Sequence, residues 1–313
     1  MNQTELLEDL RPRAFAIAYR MLGSVSEAED VVQEALLRVH AAMERGEEIS
    51  SPRAYVATIT TRLAIDELRS ARARRESYVG EWLPEPLAAP EEEPSAQAEQ
   101  ADSLSLAFLV VLESLSPEQR AAFLLHDVFD YGYVDVAEIV GTSEANARQL
   151  ASRARRHVQD GRPQFDPSAE QREQLAAGFL AAAKEGNFKK LEVFLAEDVE
   201  LHGDGGGLAP AIRHPVFGRE RVAQMLGNWM RLGFERIGGV ELRLATVNGQ
   251  PGAEYRDADG KLIGVMALDI AGGKVQAIRS IVNPEKLGHL GPVADAQELL
   301  RKARESVRGV PSS

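Results

Sequence analysis

The chain has no cysteine among its 313 residues. Disulfides, thiolate metal sites and cysteine nucleophiles are excluded together. It also lacks an HExxH string, paired histidines and any carboxylate cluster with ligand spacing, so neither a metal nor a cofactor is expected. No apolar run is long enough to span a bilayer, and the opening MNQTELLEDLRPRAF has neither a basic lead nor an apolar core of signal-peptide length. No membrane association is expected, and the cytoplasm is the expected location. Positive charge is not in excess either. The formal charge is −12, so bulk charge does not advertise a polyanion binder.

Local charge does. Arg62 to Arg75 and Arg148 to Arg162 are both basic, whereas Glu76 to Asp102 holds eight acidic residues and no basic one. Two arginine-rich patches separated by an acidic span fit a protein that touches a polyanion at two places. The second patch lies in GYVDVAEIVGTSEANARQLASRARRHV, residues 132–158, which reads as a helix-turn-helix. Val136, Ile139 and Val140 mark the first helix, Gly141 the turn, and Thr142 or Ser143 the cap of the second helix. At helical period Ala147, Leu150, Ala151, Ala154 and Val158 share one face. Gln149, Ser152, Arg153 and Arg156 fall opposite, with Arg148 and Arg155 on the flanks. An outer face of this kind offers guanidinium forks to guanine edges and phosphates in a major groove.

Residues 1–75 read as a helical domain with helices from about Thr4, from a capping box at Ser26 to Glu29, and from Ser51-Pro52. On the second helix Ala28, Val31, Val32, Ala35, Leu36 and Val39 form an apolar face. Asp30, Gln33, Glu34 and Leu37 lie on the other side, where an exposed leucine among polar groups suggests a protein-binding patch. Residues 76–103 read as an acidic, Pro-rich linker, in which Trp82 is expected to be a buried anchor. Helices resume over 104–162. Over 168–287 two helices precede short apolar runs at 199–202, 240–247, 253–256, 262–270 and 274–282. Asn248-Gly249, Asp259-Gly260 and Gly272-Gly273 supply the turns, and an α+β domain with a curved antiparallel sheet is expected. Residues 288–313 read as a tail.

At this point the residues resemble a known family. Ala28-Glu29-Asp30-Val31-Val32-Gln33-Glu34-Ala35, Pro52-Arg53-Ala54-Tyr55 and Thr61 to Ser70 are similar to the second conserved region of bacterial extracytoplasmic-function (ECF) sigma factors. Leu115-Ser116-Pro117-Glu118-Gln119-Arg120 with the helix-turn-helix resembles their fourth region. The remainder resembles a SnoaL-like cone. With Trp82-Leu83-Pro84-Glu85-Pro86, Asp204-Gly205-Gly206-Gly207 and Asn283-Pro284-Glu285-Lys286-Leu287, the whole resembles an ECF group that carries this cone as a C-terminal extension. The implied fold is multidomain, two all-α sigma domains followed by an α+β SnoaL-like cone.

The resemblance implies roles. Asp30, Gln33, Glu34 and Leu37 would dock the clamp helices of core RNA polymerase. Thr58, Thr61, Arg62 and Arg69 would lie near the non-template strand of the start-proximal promoter element. Ser143, Glu144, Asn146, Arg148, Gln149 and Ser152 would face the upstream element, with Arg153, Arg155 and Arg156 gripping phosphates. Asp66 belongs to the family string but lies near the apolar side of its helix, which makes it an expected internal partner for an arginine. Trp82, Leu83, Pro84, Asp204, Gly205, Gly206, Asn283, Pro284 and Lys286 would join the cone to the sigma domains and regulate them in cis. Where relatives end the glycine-rich motif in lysine this chain has Leu208, and Glu285 replaces an aspartate.

A SnoaL-like cone also accommodates a ligand sensor, and a small ligand in it stays open. A small-molecule isomerase or cyclase is the enzymatic alternative. His202, Asp204 and His214 are the candidates for proton transfer. No catalytic residue is assigned, because an aspartate opening a three-glycine run suits an Asx turn and histidines of this kind are ordinarily surface or core residues.

Overall fold

A computed structural model describes residues 2–90, 101–161, 168–236, 239–295, 297–299 and 301. The helices α1 (Gln3–Leu22), α2 (Val25–Glu44) and α3 (Pro52–Glu76) come first. The strand β1 (Ala88–Pro90) follows, then α4 (Ala101–Leu104), α5 (Leu106–Glu113), α6 (Pro117–Phe123), α7 (Tyr133–Val140) and α8 (Glu144–Gly161). The last part runs α9 (Ala169–Lys184), α10 (Phe188–Glu192), β2 (Leu195–Asp204), β3 (Val216–Phe217), α11 (Arg219–Arg236), β4 (Glu241–Val247), β5 (Gln250–Arg256), β6 (Leu262–Ala271) and β7 (Lys274–Ile281). The chain divides into two compact units, residues 1–77 with 108–162 and residues 78–107 with 163–313. Among the described residues no helix is long and apolar enough to cross a membrane.

The first unit is all helical. Asn2 and Glu5 form a reciprocal capping box for α1, and Gly23, at φ 67°, ends it. The cap of α2 is Ser24, whose side chain accepts from the Glu27 amide, and not Ser26 as the sequence suggested. The helix therefore starts two residues earlier, because the chain leaves Gly23 in position to close a cap at once. The expected apolar face is buried at Ala28, Val31, Val32, Ala35 and Val39. In the second half of the unit Ser116 and Gln119 make the capping box of α6, and one π turn over Leu124–Val128 follows it. Gly141, at φ 77°, makes the turn between α7 and α8, and Ser143 caps α8 by accepting from the Asn146 amide.

The second unit is built on one seven-stranded sheet in the order β1-β4-β5-β6-β7-β2-β3. The sheet is mixed where an antiparallel one was expected. The four-strand meander β4 to β7 returns to lie beside β2 running the same way, so β2 and β7 pair in parallel. Asn248-Gly249 and Gly272-Gly273 close two-residue hairpins with both residues at positive φ, the geometry that matches the twist of paired strands. One face of the sheet meets α9, α10 and α11 in a core of Phe179, Leu180, Leu191, Val199, Leu201, Val222, Leu226, Leu268 and Ile278.

The other face is covered by the segment expected to be a linker. Tyr78 to Ala107 belongs to this unit, and Ala88–Pro90 adds an edge strand antiparallel to β4. Composition argued that this acidic stretch could not fold alone. It does not fold alone: Leu83 is fully buried, its amide donates to Asp204 at the end of β2, and Glu81 meets His202 of the same strand. Residues 91–100, the middle of the expected linker, lie outside the described residues, as do 162–167 and most of the expected tail.

Candidate functional site

Four arrangements concern the residues singled out in the sequence. The first is α8. Ala147, Ala151, Ala154 and Val158 are buried against α6 and α7, while Glu144, Asn146, Arg148, Gln149, Ser152, Arg153 and Arg156 are exposed. Arg148 pairs with Glu144 at 2.5 Å and lies over the Tyr133 ring, 4.5 Å from its centroid. Arg155 donates to Asp127 at 2.6 Å, a bond that holds its guanidinium well above the ordinary arginine value. Ser143 spends its side chain on the cap.

The second is the basic side of α3. Thr58 donates to the main-chain oxygen of Ala54 at 2.9 Å. Thr61 is fully buried, contrary to its expected place near DNA, because it falls on the same helical face as Ala57, Ala64 and Leu68. Arg62 donates to the main-chain oxygens of Glu138 and Ile139 on α7. Arg69 bridges Asp66 and Glu118, at 3.1 and 2.8 Å, so Asp66 does partner an arginine, but on the exposed side of the helix.

Further contacts join the two halves of this unit. Arg120 is almost wholly buried and donates to the main-chain oxygens of Leu112 and Met21 and to Glu113. Burial pushes its guanidinium down from the ordinary value, and Glu113 opposes that. Arg13 donates to the Tyr131 hydroxyl at 3.0 Å. The sequence offered no hint of the Arg120 role, which depends on a carbonyl 99 residues away.

The third is the outer face of α2. Asp30, Gln33 and Glu34 are exposed, and Leu37 is 56% exposed, the patch the sequence suggested. Beside it Leu7, Leu36 and Leu37, with Thr4, Glu8, Arg11, Gln33 and His40, line an apolar groove of about 320 Å³ between α1 and α2.

The fourth is a buried polar knot within the second unit. The Asp204 carboxylate is fully buried and accepts from Tyr78 Oη at 2.5 Å, Leu83 N at 2.8 Å, Gly206 N at 3.1 Å and Lys286 Nζ at 2.6 Å. Lys286 also donates to the Leu83 oxygen, and its ammonium sits 4.2 Å from the centroid of the Trp82 ring and 4.9 Å from that of Tyr78. Asn283 donates to Tyr78 Oη at 2.8 Å and accepts from the Glu285 amide, with Pro284 opening the short 3-10 turn. A side chain at Gly205 would strike the Ala209 carbonyl, and one at Gly206 would strike Asn283. All nine residues expected to join the domains therefore gather within one unit. Trp82 is only partly buried, and Leu83 is the anchor. Tyr78 was missed because nothing nearby in sequence marks it, and burial beside Asp204 raises its phenol well above the usual range. Leu208 is 41% exposed, and the cation beside Asp204 is Lys286.

The three proton-transfer candidates do not form one site. His202 has a carboxylate at each ring nitrogen, Glu81 at 2.7 Å and Glu200 at 2.9 Å. His214 is exposed, and Asp204 is spent in the knot. Beside His202, Arg279 pairs with Asp269 and is pushed down by burial to about 10. Among the described residues no group of three or more His, Asp or Glu could hold a metal ion.

Residues 6–74 match the family described as Sigma-70 region 2, and residues 105–158 match Sigma-70, region 4. The chain is 40% identical over 290 residues to the ECF RNA polymerase sigma factor SigJ of Mycobacterium tuberculosis, covering 89% of this chain and 91% of that one. It is 30% identical over 277 residues to the probable ECF RNA polymerase sigma factor SigI of the same species, covering 88% and 91%. The crystal structure of M. tuberculosis SigJ superimposes with a TM-score of 0.73 at 36% identity, over 90% of this chain and 96% of that one. A helical pair of sigma regions followed by an α+β domain defines the class. The chain belongs to the ECF RNA polymerase sigma factors.

Proposed function

We propose that the protein lends promoter recognition to core RNA polymerase and that its C-terminal domain governs in cis when it does so. The observation that carries the reading is α8, whose apolar side is buried while Arg148, Gln149, Ser152, Arg153 and Arg156 face outward on a rigid helix. Asp30, Gln33, Glu34 and Leu37 receive the clamp helices of the polymerase, and Arg62 and Arg69 track the opened strand with Thr58 beside them. Arg62 and Arg69 are held by α7 and α6, so this form of the first unit is a resting one that polymerase must open.

Regulation in cis follows from chain connectivity. Tyr78 stands two residues beyond α3, and the knot ties it to Asp204, so the chain leaving the DNA-reading helix is fixed to the C-terminal domain. That domain performs no catalysis in this reading. His202 and Asp204 have their polar atoms engaged, and the helix-covered face of its sheet is packed with side chains. The protein works in the cytoplasm, on promoter DNA, without a cofactor. In vitro transcription with bacterial core polymerase on a genomic library tests both statements. Specific start sites with the full chain, and altered output at the same sites from a 1–165 truncation, which lacks the C-terminal sheet, are expected. Absence of specific starts removes the first statement, and equal output from both chains removes the second.

A further inference from the structure

We infer that Tyr133 is a positioning residue for promoter specificity, holding Arg148 of α8 in one base-reading pose; the inference rests on the promoter-reading role proposed above for that helix. An arginine on an exposed helix ordinarily samples many rotamers, and fixing it on binding costs affinity and blurs discrimination. Arg148 is fixed in advance. Glu144 takes Nε at 3.2 Å and Nη2 at 2.5 Å, and the Tyr133 ring lies under the guanidinium face. The edge contact alone leaves the plane free to rock, whereas the edge and the face together set it.

The ring is itself braced. His126 stacks on it with centroids 3.9 Å apart, and His126 Nδ1 is 2.8 Å from the Tyr131 oxygen, which can only accept. The Tyr133 hydroxyl is 3.4 Å from Arg155 Nη2, and Arg155 Nε donates to Asp127. One aromatic ring thus touches the arginine placed for base edges and the arginine placed for phosphate. Tyr133 also packs against the buried cluster beneath α8, where Ala122, Val136, Ala147 and Ala151 lie, so the ring is seated on the core while its outer side meets the two arginines.

The test is selection from a promoter library randomised over the upstream element, using holoenzyme made with wild type, Arg148→Ala, Tyr133→Leu and Tyr133→Phe. A bidentate arginine discriminates its base pair about 5- to 150-fold. Arg148→Ala should lose that preference at one or two pairs. Tyr133→Leu should lose most of it at the same pairs while the other positions keep theirs, and Tyr133→Phe, which retains the ring, should stay within about twofold of wild type. Retained position-specific preferences show that the helix-turn-helix is folded; if Tyr133→Leu loses them all, Tyr133→Met replaces it. A non-aromatic variant that keeps the preference that Arg148→Ala loses overturns the positioning role alone. Unchanged selection by Arg148→Ala overturns the base-reading role, and the positioning role with it.

Discussion

Arg62 donates from Nη2 to the main-chain oxygen of Glu138 at 2.9 Å and from Nε to that of Ile139 at 3.1 Å. These carbonyls belong to the last turn of α7, where a helix has acceptors to spare and a partial negative charge. A guanidinium seated there is not available to a nucleic-acid strand. The same two halves meet again at Arg69 with Glu118 and at Arg13 with Tyr131.

Loosening this closure without touching a proposed DNA-reading residue should therefore raise output. Glu118→Ala with Tyr131→Phe removes one ion pair and one hydroxyl acceptor, each exposed or partly so and each a weak contact. A rise of about two- to fivefold in run-off transcription at limiting core polymerase is expected. Output that falls or stays level would mean that closure does not limit activity.

The docking face of α2 gives a second expectation. Leu37→Asp with Gln33→Glu changes only exposed positions, so the fold should persist. Binding to core polymerase should weaken by about 2 kcal/mol or more, the scale of a central interface residue. Fluorescence anisotropy with labelled protein measures it. Unaltered affinity would place the docking face elsewhere.

Much of this was legible in sequence, for physical reasons particular to each element. The outer face of α8 followed from periodicity alone, since buried alanines and exposed arginines alternate at helical spacing. The five expected strands of the second unit all occur, because their turns are written in Asn-Gly and Gly-Gly pairs. What was hidden depends on partners far away in the chain. The segment around Leu83 was read as a linker because its own composition buries little, and no local signal shows that Asp204 and His202, more than 100 residues later, hold it. Thr61 was carried to DNA by resemblance, although its spacing from Ala57 and Ala64 already placed it on the buried side. The knot was assembled from three strings whose meeting could be anticipated, but Tyr78 and Arg120 carried no mark.

Arg148 and Arg156 should separate specificity from grip. Arg148→Ala should relax preference at one or two base pairs by about 1–3 kcal/mol, while Arg156→Ala should weaken all promoters alike and lower the salt slope by about one. Binding of holoenzyme to a set of single-substitution promoters across a range of salt concentrations distinguishes them. The opposite pattern would exchange their roles.

Alkaline conditions should unlock the second unit. Tyr78 and Tyr255 are both raised above the ordinary 10.0, chiefly by burial, and Tyr78 also donates to Asp204. Once pH passes 10.0 the unfolded chain releases these protons while the folded one retains them, so the folded state binds more protons and stability falls as pH rises. Below 10.0 both states hold the protons and the contribution is constant. Tyr78→Phe should flatten part of that decline, measured by denaturant unfolding at pH 8 to 11 (roughly the window set by the ordinary tyrosine value). An identical slope in the variant would remove Tyr78 as a source.

The final expectation concerns the knot as the joint between the segment around Leu83 and the sheet. Lys286 and Asp204 have side chains 7% and 0% exposed, so removing one partner leaves the other charge buried without its counter-ion. Lys286→Met should destabilise the second unit by about 3–5 kcal/mol, the usual cost of breaking a buried pair. Trp82→Ala, which takes away one aromatic face of the ammonium cage, should cost less, about 0.5–2 kcal/mol. The order of the two effects tests the geometry, and transcription tests its purpose. If the knot transmits control from the C-terminal domain, Trp82→Ala should change promoter output while leaving base preference as it was, because no DNA-reading residue is altered. Full-length protein destabilised in the expected order, yet equal to wild type in transcription at a temperature where all variants stay folded, would leave the knot a structural fastening and the regulatory reading without its joint.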